Sequence, residues 1–261
     1  MYVIIIAMSD YINTIKNIDA IKGLMDIPDN SVDAVITDPP YGIAKLKSFK
    51  SSSKGTFKAL DASWDVFESQ DSYRSFSEAW IKECHRILKP TGSIAVWGSK
   101  SSIFEIYPIL SKYFPRYLDM LTWIKRDAPP NMTQRGMAPS TEFALIFCKS
   151  ETGWTFNHDD IKKYNLGKQA RNYVDIQRSM SSGERAGHPT QKKIETQEFL
   201  IEMLSNPNEV VLDPFMGSGT TAAACIKLKR NYFGFEKNDE YHRLIQNRLA
   251  SISNEDRELA I

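Results

Sequence analysis

The chain reads as an α/β protein built on a mostly parallel sheet with helices on both faces. Three observations support this. Short apolar runs of strand length alternate with longer amphipathic stretches of helical spacing, the pattern of βαβ units. Two runs, Val32-Asp33-Ala34-Val35-Ile36 and Glu209-Val210-Val211-Leu212, are near-continuously apolar, as buried strands are. A hydrophobic content of 42% over 261 residues can supply a full core for one large domain or two small ones.

In chain order, residues 12–15 suggest a short strand and 19–25 a short helix. Pro28-Asp29-Asn30-Ser31 then turns into the strand ending at Thr37. Residues 73–88 are amphipathic, with Phe76, Trp80, Ile81, Cys84, Ile87 and Leu88 near helical spacing, and Pro90-Thr91-Gly92 stops the helix. Residues 93–97 read as a strand, 103–112 as a helix, and 117–124 and 142–148 as two strands that pair antiparallel across a long connection. The run 209–212 begins a final strand–helix–strand unit, with the helix over 222–229 and the strand over 232–235. No repeat or low-complexity linker divides the chain, so 1–261 is expected to be a single domain.

Bulk properties exclude several classes. Net charge is +1, so any affinity for nucleic acid must come from local patches. Cys84, Cys148 and Cys225 lack paired spacing and read as buried free thiols in a reducing cytosol. His85, His158, His188 and His242 are scattered, without ligand spacing, so no metal is expected. The apolar start, Tyr2 through Met8, is far too short to span a bilayer and lacks a signal peptide's basic start and cleavage pattern. It is either an extra strand or a segment preceding the natural start at Met8, and the second is the preferred expectation.

Thr37-Asp38-Pro39-Pro40-Tyr41-Gly42 follows the first apolar run, at a strand's expected carboxyl end, where open α/β sheets bind ligands. It presents a carboxylate, two rigid prolines and an aromatic ring, a set that suits a flat base carrying an exocyclic amine. The motif resembles the catalytic Asp-Pro-Pro-Tyr of the amino-DNA methyltransferases, which methylate adenine N6 or cytosine N4. A second motif, Asp213-Pro214-Phe215-Met216-Gly217-Ser218-Gly219-Thr220-Thr221, follows the second run and opens a helix. The glycines alone also fit a dinucleotide fingerprint, which leaves a nicotinamide or flavin enzyme open for that segment in isolation. Together with residues 38–41, the segment resembles the S-adenosylmethionine loop of the same family. Glu236, ending the next strand, is placed to hold a ribose diol.

The resemblance covers roughly residues 18–249, including 88–99, Trp123-Ile124-Lys125 and 140–147. The catalytic motif precedes the cofactor motif, the order of the family's β group. The resemblance therefore implies a Rossmann-like, methyltransferase-type seven-stranded sheet. It also implies a catalytic half over 18–150, a target-recognition segment over 151–187 and a cofactor-binding half over 188–250. The catalytic residues it implies are Asp38, Pro39, Pro40 and Tyr41. The implied cofactor contacts are Asp19 and Ala20 near the adenine, Asp38, then His188, Thr190, Gln191 and Lys192 near the methionine part. Asp213, Pro214, Phe215, Gly217, Ser218, Gly219, Thr220 and Glu236 complete the set. Asp19 has a plain helix cap as its alternative, and Thr190 is expected to cap the helix that precedes the cofactor strand. This chain has Lys193 where the family usually has proline.

The amine of a nucleobase is a poor nucleophile because its lone pair delocalises into the ring. Hydrogen bonds to Asp38 and to the Pro39 carbonyl would favour a tetrahedral nitrogen, and methyl transfer would be a direct in-line displacement. A duplex hides that amine, so the base is expected to flip out and stack on Tyr41. Double-stranded DNA is the expected partner. Lys45, Lys47, Lys50, Lys54 and Lys58 lie in an acid-free loop after the motif, which Trp64 is expected to anchor. Arg135 lies in a second candidate segment, and Arg171, Arg178 and Arg185 in a basic stretch over 162–193 that holds eight lysines and arginines against two acids.

The expected activity is site-specific adenine N6 methylation, because cytosine N4 enzymes more often carry serine where this chain has Asp38. Cytosine N4 methylation, RNA methylation and an inactive nucleic-acid-binding relative are the alternatives. A homodimer, a cognate restriction endonuclease and a cytoplasmic, nucleoid-associated location without a membrane are the further family-level expectations.

Overall fold

A computed structural model describes residues 8–42, 65–131, 134–177 and 192–258. Its sheet has eight strands: β1 (Thr14–Lys16), β2 (Val32–Thr37), β3 (Leu88–Gly98), β4 (Arg116–Ile124), β5 (Thr141–Cys148), β6 (Tyr173–Asp175), β7 (Val210–Asp213) and β8 (Asn231–Phe235). They lie in the order β1-β8-β7-β2-β3-β5-β4-β6. Five neighbouring pairs are parallel. β5 alone runs against both its neighbours, β3 and β4. The expected antiparallel pairing of 117–124 with 142–148 is therefore present, and β5 also extends it to β3.

Alternation along the strands assigns side chains to two cores. Ala34, Ile36, Ala95, Trp97, Ala144, Ile146 and Val211 face one core, with α4 (Ile194–Leu204), α5 (Thr220–Lys227) and α6 (Asp239–Glu258). Val35, Ile94, Val96, Leu145, Phe147 and Leu212 face the other, with α1 (Ala20–Met25), α2 (Gln70–Ile87) and α3 (Ser102–Tyr113). A sheet covered on both faces explains why its central strands read as continuous apolar runs. α2 buries Tyr73, Ser77, Trp80, Ile81, Cys84 and Ile87 along one stripe and starts in a Ser69–Ser72 capping box. All three cysteines are buried and free.

Two expectations need correction, and one helix stands where none is expected. The sheet has eight strands rather than seven, because β6 adds an edge with only Val174 buried. Three residues with a single apolar anchor leave too little periodicity to read. The helix before β7 does not start at Thr190. Lys193 is the N-cap of α4, with extended backbone and no side-chain cap bond, and its carbonyl accepts from Thr196 Oγ1. Finally, α6 follows a turn capped by Asn238 Oδ1, which accepts from the N–H groups of Glu240 and Tyr241.

Candidate active site

Seven strands end, and β5 begins, at the same side of the sheet. From β2 the chain crosses through α2 to β3 on one side, and from β7 through α5 to β8 on the other. The topological switch point therefore lies between β2 and β7, where crevices open in this architecture. Asp38 directly follows β2, and Asp213 ends β7.

The turn after β2 is tied from outside. Asp65 Oδ1 accepts from the backbone N–H groups of Tyr41 and Gly42, at 2.5 and 2.8 Å. Asp38 is 21% exposed at its side chain. Its Oδ1 accepts from the Tyr41 hydroxyl. Its Oδ2 lies 2.8 Å from Lys192 Nζ. That ammonium is also 2.9 Å from Tyr41 Oη and 2.6 Å from Glu142 Oε2. Glu142 Oε1, at the start of β5, accepts from Lys125 Nζ at 2.8 Å. The rings of Trp97 and Tyr41 lie 5.4 and 5.5 Å from Lys192 Nζ.

The electrostatics follow from burial and pairing. Burial raises the Asp38 carboxyl above its ordinary value; Lys192 offsets part of that rise and Glu142 adds to it. Burial works against the Lys192 charge, but Asp38, Tyr41 and Glu142 outweigh it and hold the ammonium firmly charged. Burial opposes the Glu142 charge too, yet Lys192 and Lys125 bring that carboxyl down to about 2. Burial, with Asp38 alongside, drives the Tyr41 phenol far up, so it stays a donor.

The second wall is the turn between β7 and α5. Gly217 and Gly219 both adopt positive φ, at 56° and 74°. Asp213 points inward: it accepts from Thr37 Oγ1 and Thr221 Oγ1, each at 2.7 Å, and from the Phe215 N–H at 3.0 Å. It thereby pins β2, β7 and α5 together. Glu236 Oε2 accepts from the Gly217 N–H at 2.9 Å, which brings the acid after β8 onto the glycine turn. Arg248 Nη1 holds Ser218 O at 2.8 Å, and Ser218 and Thr220 hydroxyls share a 2.9 Å bond. Phe215 packs on Trp80 and Phe76, and Pro214 is buried.

The family model of the DNA methylases matches residues 32–247, from β2 into α6. This chain belongs to the DNA methylase family. It is 34% identical over 255 residues to the type II methyltransferase M.HinfI of Haemophilus influenzae, covering 94% of this chain and 70% of the relative. The crystal structure of the M1.HpyAVI–SAM complex, 30% identical, superposes with a TM-score of 0.69 over 90% of this chain and 98% of that one. The cytosine-N4-specific PvuII DNA methyltransferase, 20% identical, superposes at 0.70 over 94% and 93%, a likeness of fold.

In this methylase, Asp38, Tyr41 and Lys192 converge, and the 213–220 turn and Glu236 form the adjacent wall. Asp19 caps α1, its Oδ1 accepting from the Ile21 and Lys22 N–H groups, with Ala20 buried behind it. Lys45, Lys47, Lys50, Lys54, Lys58, Trp64, Arg178, Arg185, His188, Thr190 and Gln191 lie outside the described residues, as do residues 1–7. Arg135 is exposed. Arg171 lies over the Tyr173 ring at the β6 edge. The basic stretch is less free than its count suggests, because Lys162 pairs with Asp159, Lys163 with Glu202, and Lys192 with Asp38 and Glu142. Sequence reasoning missed the parts played by Asp65, Glu142 and Lys125. Their partners lie 24, 50 and 17 residues away. The only hint was that residues 140–147 and Lys125 fall in stretches resembling the family. Among the described residues there is no metal-binding cluster and no helix long and apolar enough to cross a membrane.

Proposed function

We propose that this DNA methyltransferase methylates the N6 amine of adenine in a base flipped out of duplex DNA, with Asp38 as the acceptor of the amine. The observation that carries the reading is the Asp38 carboxylate, fixed at the β2–β7 switch point between Tyr41 and Lys192. Carboxylate oxygens have spare lone-pair positions, so Asp38 can accept an amine N–H while its present partners stay. That hydrogen bond favours a tetrahedral nitrogen with its lone pair freed from the ring. Tyr41, rigidly placed by Pro39, Pro40 and the Asp65 clamp, offers a ring on which the base stacks. The aspartate, where cytosine N4 relatives more often carry serine, supports adenine.

S-Adenosylmethionine is the methyl donor, and when bound it supplies a methyl group on a cationic sulfur. The residues present suit such a group. Two positive-φ glycines let the backbone come close at the N-terminus of α5, and Glu236 stands beside them with an oxygen directed at Gly217. Asp213 supports this wall from behind, and Gly217, Ser218 and Gly219 form its surface. Duplex DNA is read by the segment around Arg171 and by Arg135. A homodimer and a cognate restriction endonuclease are the partners that the family resemblance supports, with the enzyme acting at the nucleoid.

Asp38→Ala tests the mechanism. It should abolish methyl transfer to DNA, by at least about a hundredfold, while cofactor affinity stays within a few-fold. Near-normal turnover would sink the assignment.

A further inference from the structure

Lys192 has a commitment that its place in the sequence does not suggest. All three of its ammonium donors have partners inside the protein: Asp38 Oδ2, Tyr41 Oη and Glu142 Oε2. Its side chain is only 6% exposed, walled by Trp97 and Tyr41. A lysine sunk and saturated in this way is poorly placed to grip a phosphate or a free carboxylate. Glu142 is itself fixed by Lys125. At the other end of the same residue, the Lys192 carbonyl lies 3.5 Å from Thr220 Oγ1, at the first residue of α5.

We infer that Lys192, held in place by Glu142, is a positioning residue of the transfer step: it fixes the orientation and the negative charge of the Asp38 carboxylate that receives the target amine. The inference rests on the reading of Asp38 as that acceptor. Without the ammonium, Asp38 and Glu142 would face each other as two like charges in a largely buried site, and Asp38 would take up a proton. A protonated Asp38 loses acceptor capacity. Among the described residues, the groups that face Asp38 are Tyr41 from its own turn, Lys192 ahead of α4, Glu142 from β5 and Asp213 from β7. Lys192 is the only cation among them, and Glu142 and Asp213 both oppose the Asp38 charge.

The two partners of the pair therefore act in opposite directions, and a pH profile separates them. Methyl incorporation into duplex DNA at saturating cofactor and DNA is followed against pH for the wild type, Lys192→Met and Glu142→Gln, with cofactor affinity measured by calorimetry. Lys192→Met should move the acid limb of kcat up by about one pH unit or more, with cofactor affinity within about threefold. Glu142→Gln removes an opposing charge and should move the limb down. An unmoved limb in Lys192→Met, with cofactor affinity lost instead, would overturn the inference in favour of a cofactor-gripping lysine. Limbs that shift in the same direction in both variants would also overturn it. If Lys192→Met does not fold, the Glu142→Gln limb decides alone: a downward shift supports the inference, and no shift or an upward one overturns it. A wild-type enzyme that transfers no methyl group to DNA would instead defeat the underlying reading of the site.

Discussion

Asp213 is a buried carboxylate and Glu142 a half-buried one at the same end of the sheet, yet their environments move them in opposite directions. Asp213 has hydroxyl and amide donors but no cation, so burial wins and its carboxyl rises to about 6. Glu142 sits between two lysines and falls to about 2. The consequences for stability have opposite signs. The raised Asp213 contributes stability fully below its ordinary value of 3.8 and loses it as pH rises through about 6. The lowered Glu142 contributes stability above its ordinary 4.5 and loses it as pH falls through about 2. Melting temperatures against pH should therefore show Asp213→Asn gaining on the wild type between about pH 4 and pH 7. Glu142→Gln should gain on the wild type below about pH 4.5. Parallel curves for either pair would contradict the assignment. Asp38, Tyr41 and Lys192 were all legible in the sequence as members of motifs. The partnership of Lys192 with Glu142 was not, because a contact across 50 residues leaves no local pattern.

At the scale of elements, the sequence was legible where burial enforces continuity. β2, β3, β5, β7 and β8 lie in the sheet's interior and read as apolar runs, and α2 shows its stripe. β6 and the start of α4 were not legible, since one is a three-residue edge strand and the other begins at a lysine without a side-chain cap. The glycine turn depends on a close fit between elements. A Cβ at Gly234 of β8 would overlap Met216 Cε in the β7–α5 connection and the Asp213 carbonyl oxygen at the end of β7. Gly234→Ala should thus push that turn out of place, costing about 1–3 kcal/mol and weakening cofactor binding at least tenfold. Chemical denaturation and calorimetry measure both, and wild-type values would show that the turn is not packed against β8 as described.

Over the whole molecule, the near-zero net charge leaves DNA binding to local groups, and ion pairing withdraws part of the basic stretch from that role. Arg171, on the β6 edge, remains outside those ion pairs and faces solvent. Arg171→Ala should weaken duplex binding and reduce the slope of log affinity against log salt by about one, with cofactor affinity unchanged. An unchanged slope would remove the β6 edge from the interface. On the proposed reading, the acceptor after β2 and the glycine turn after β7 serve one crevice and one reaction. The most direct measurement is methyl transfer from labelled S-adenosylmethionine to unmethylated duplex DNA, followed by digestion to nucleosides and mass spectrometry. The expected product is N6-methyladenine as its deoxynucleoside. N4-methylcytosine would keep the fold and the acceptor but overturn the choice of base, and the absence of any methylated nucleoside from cofactor-bound enzyme would contradict the function itself.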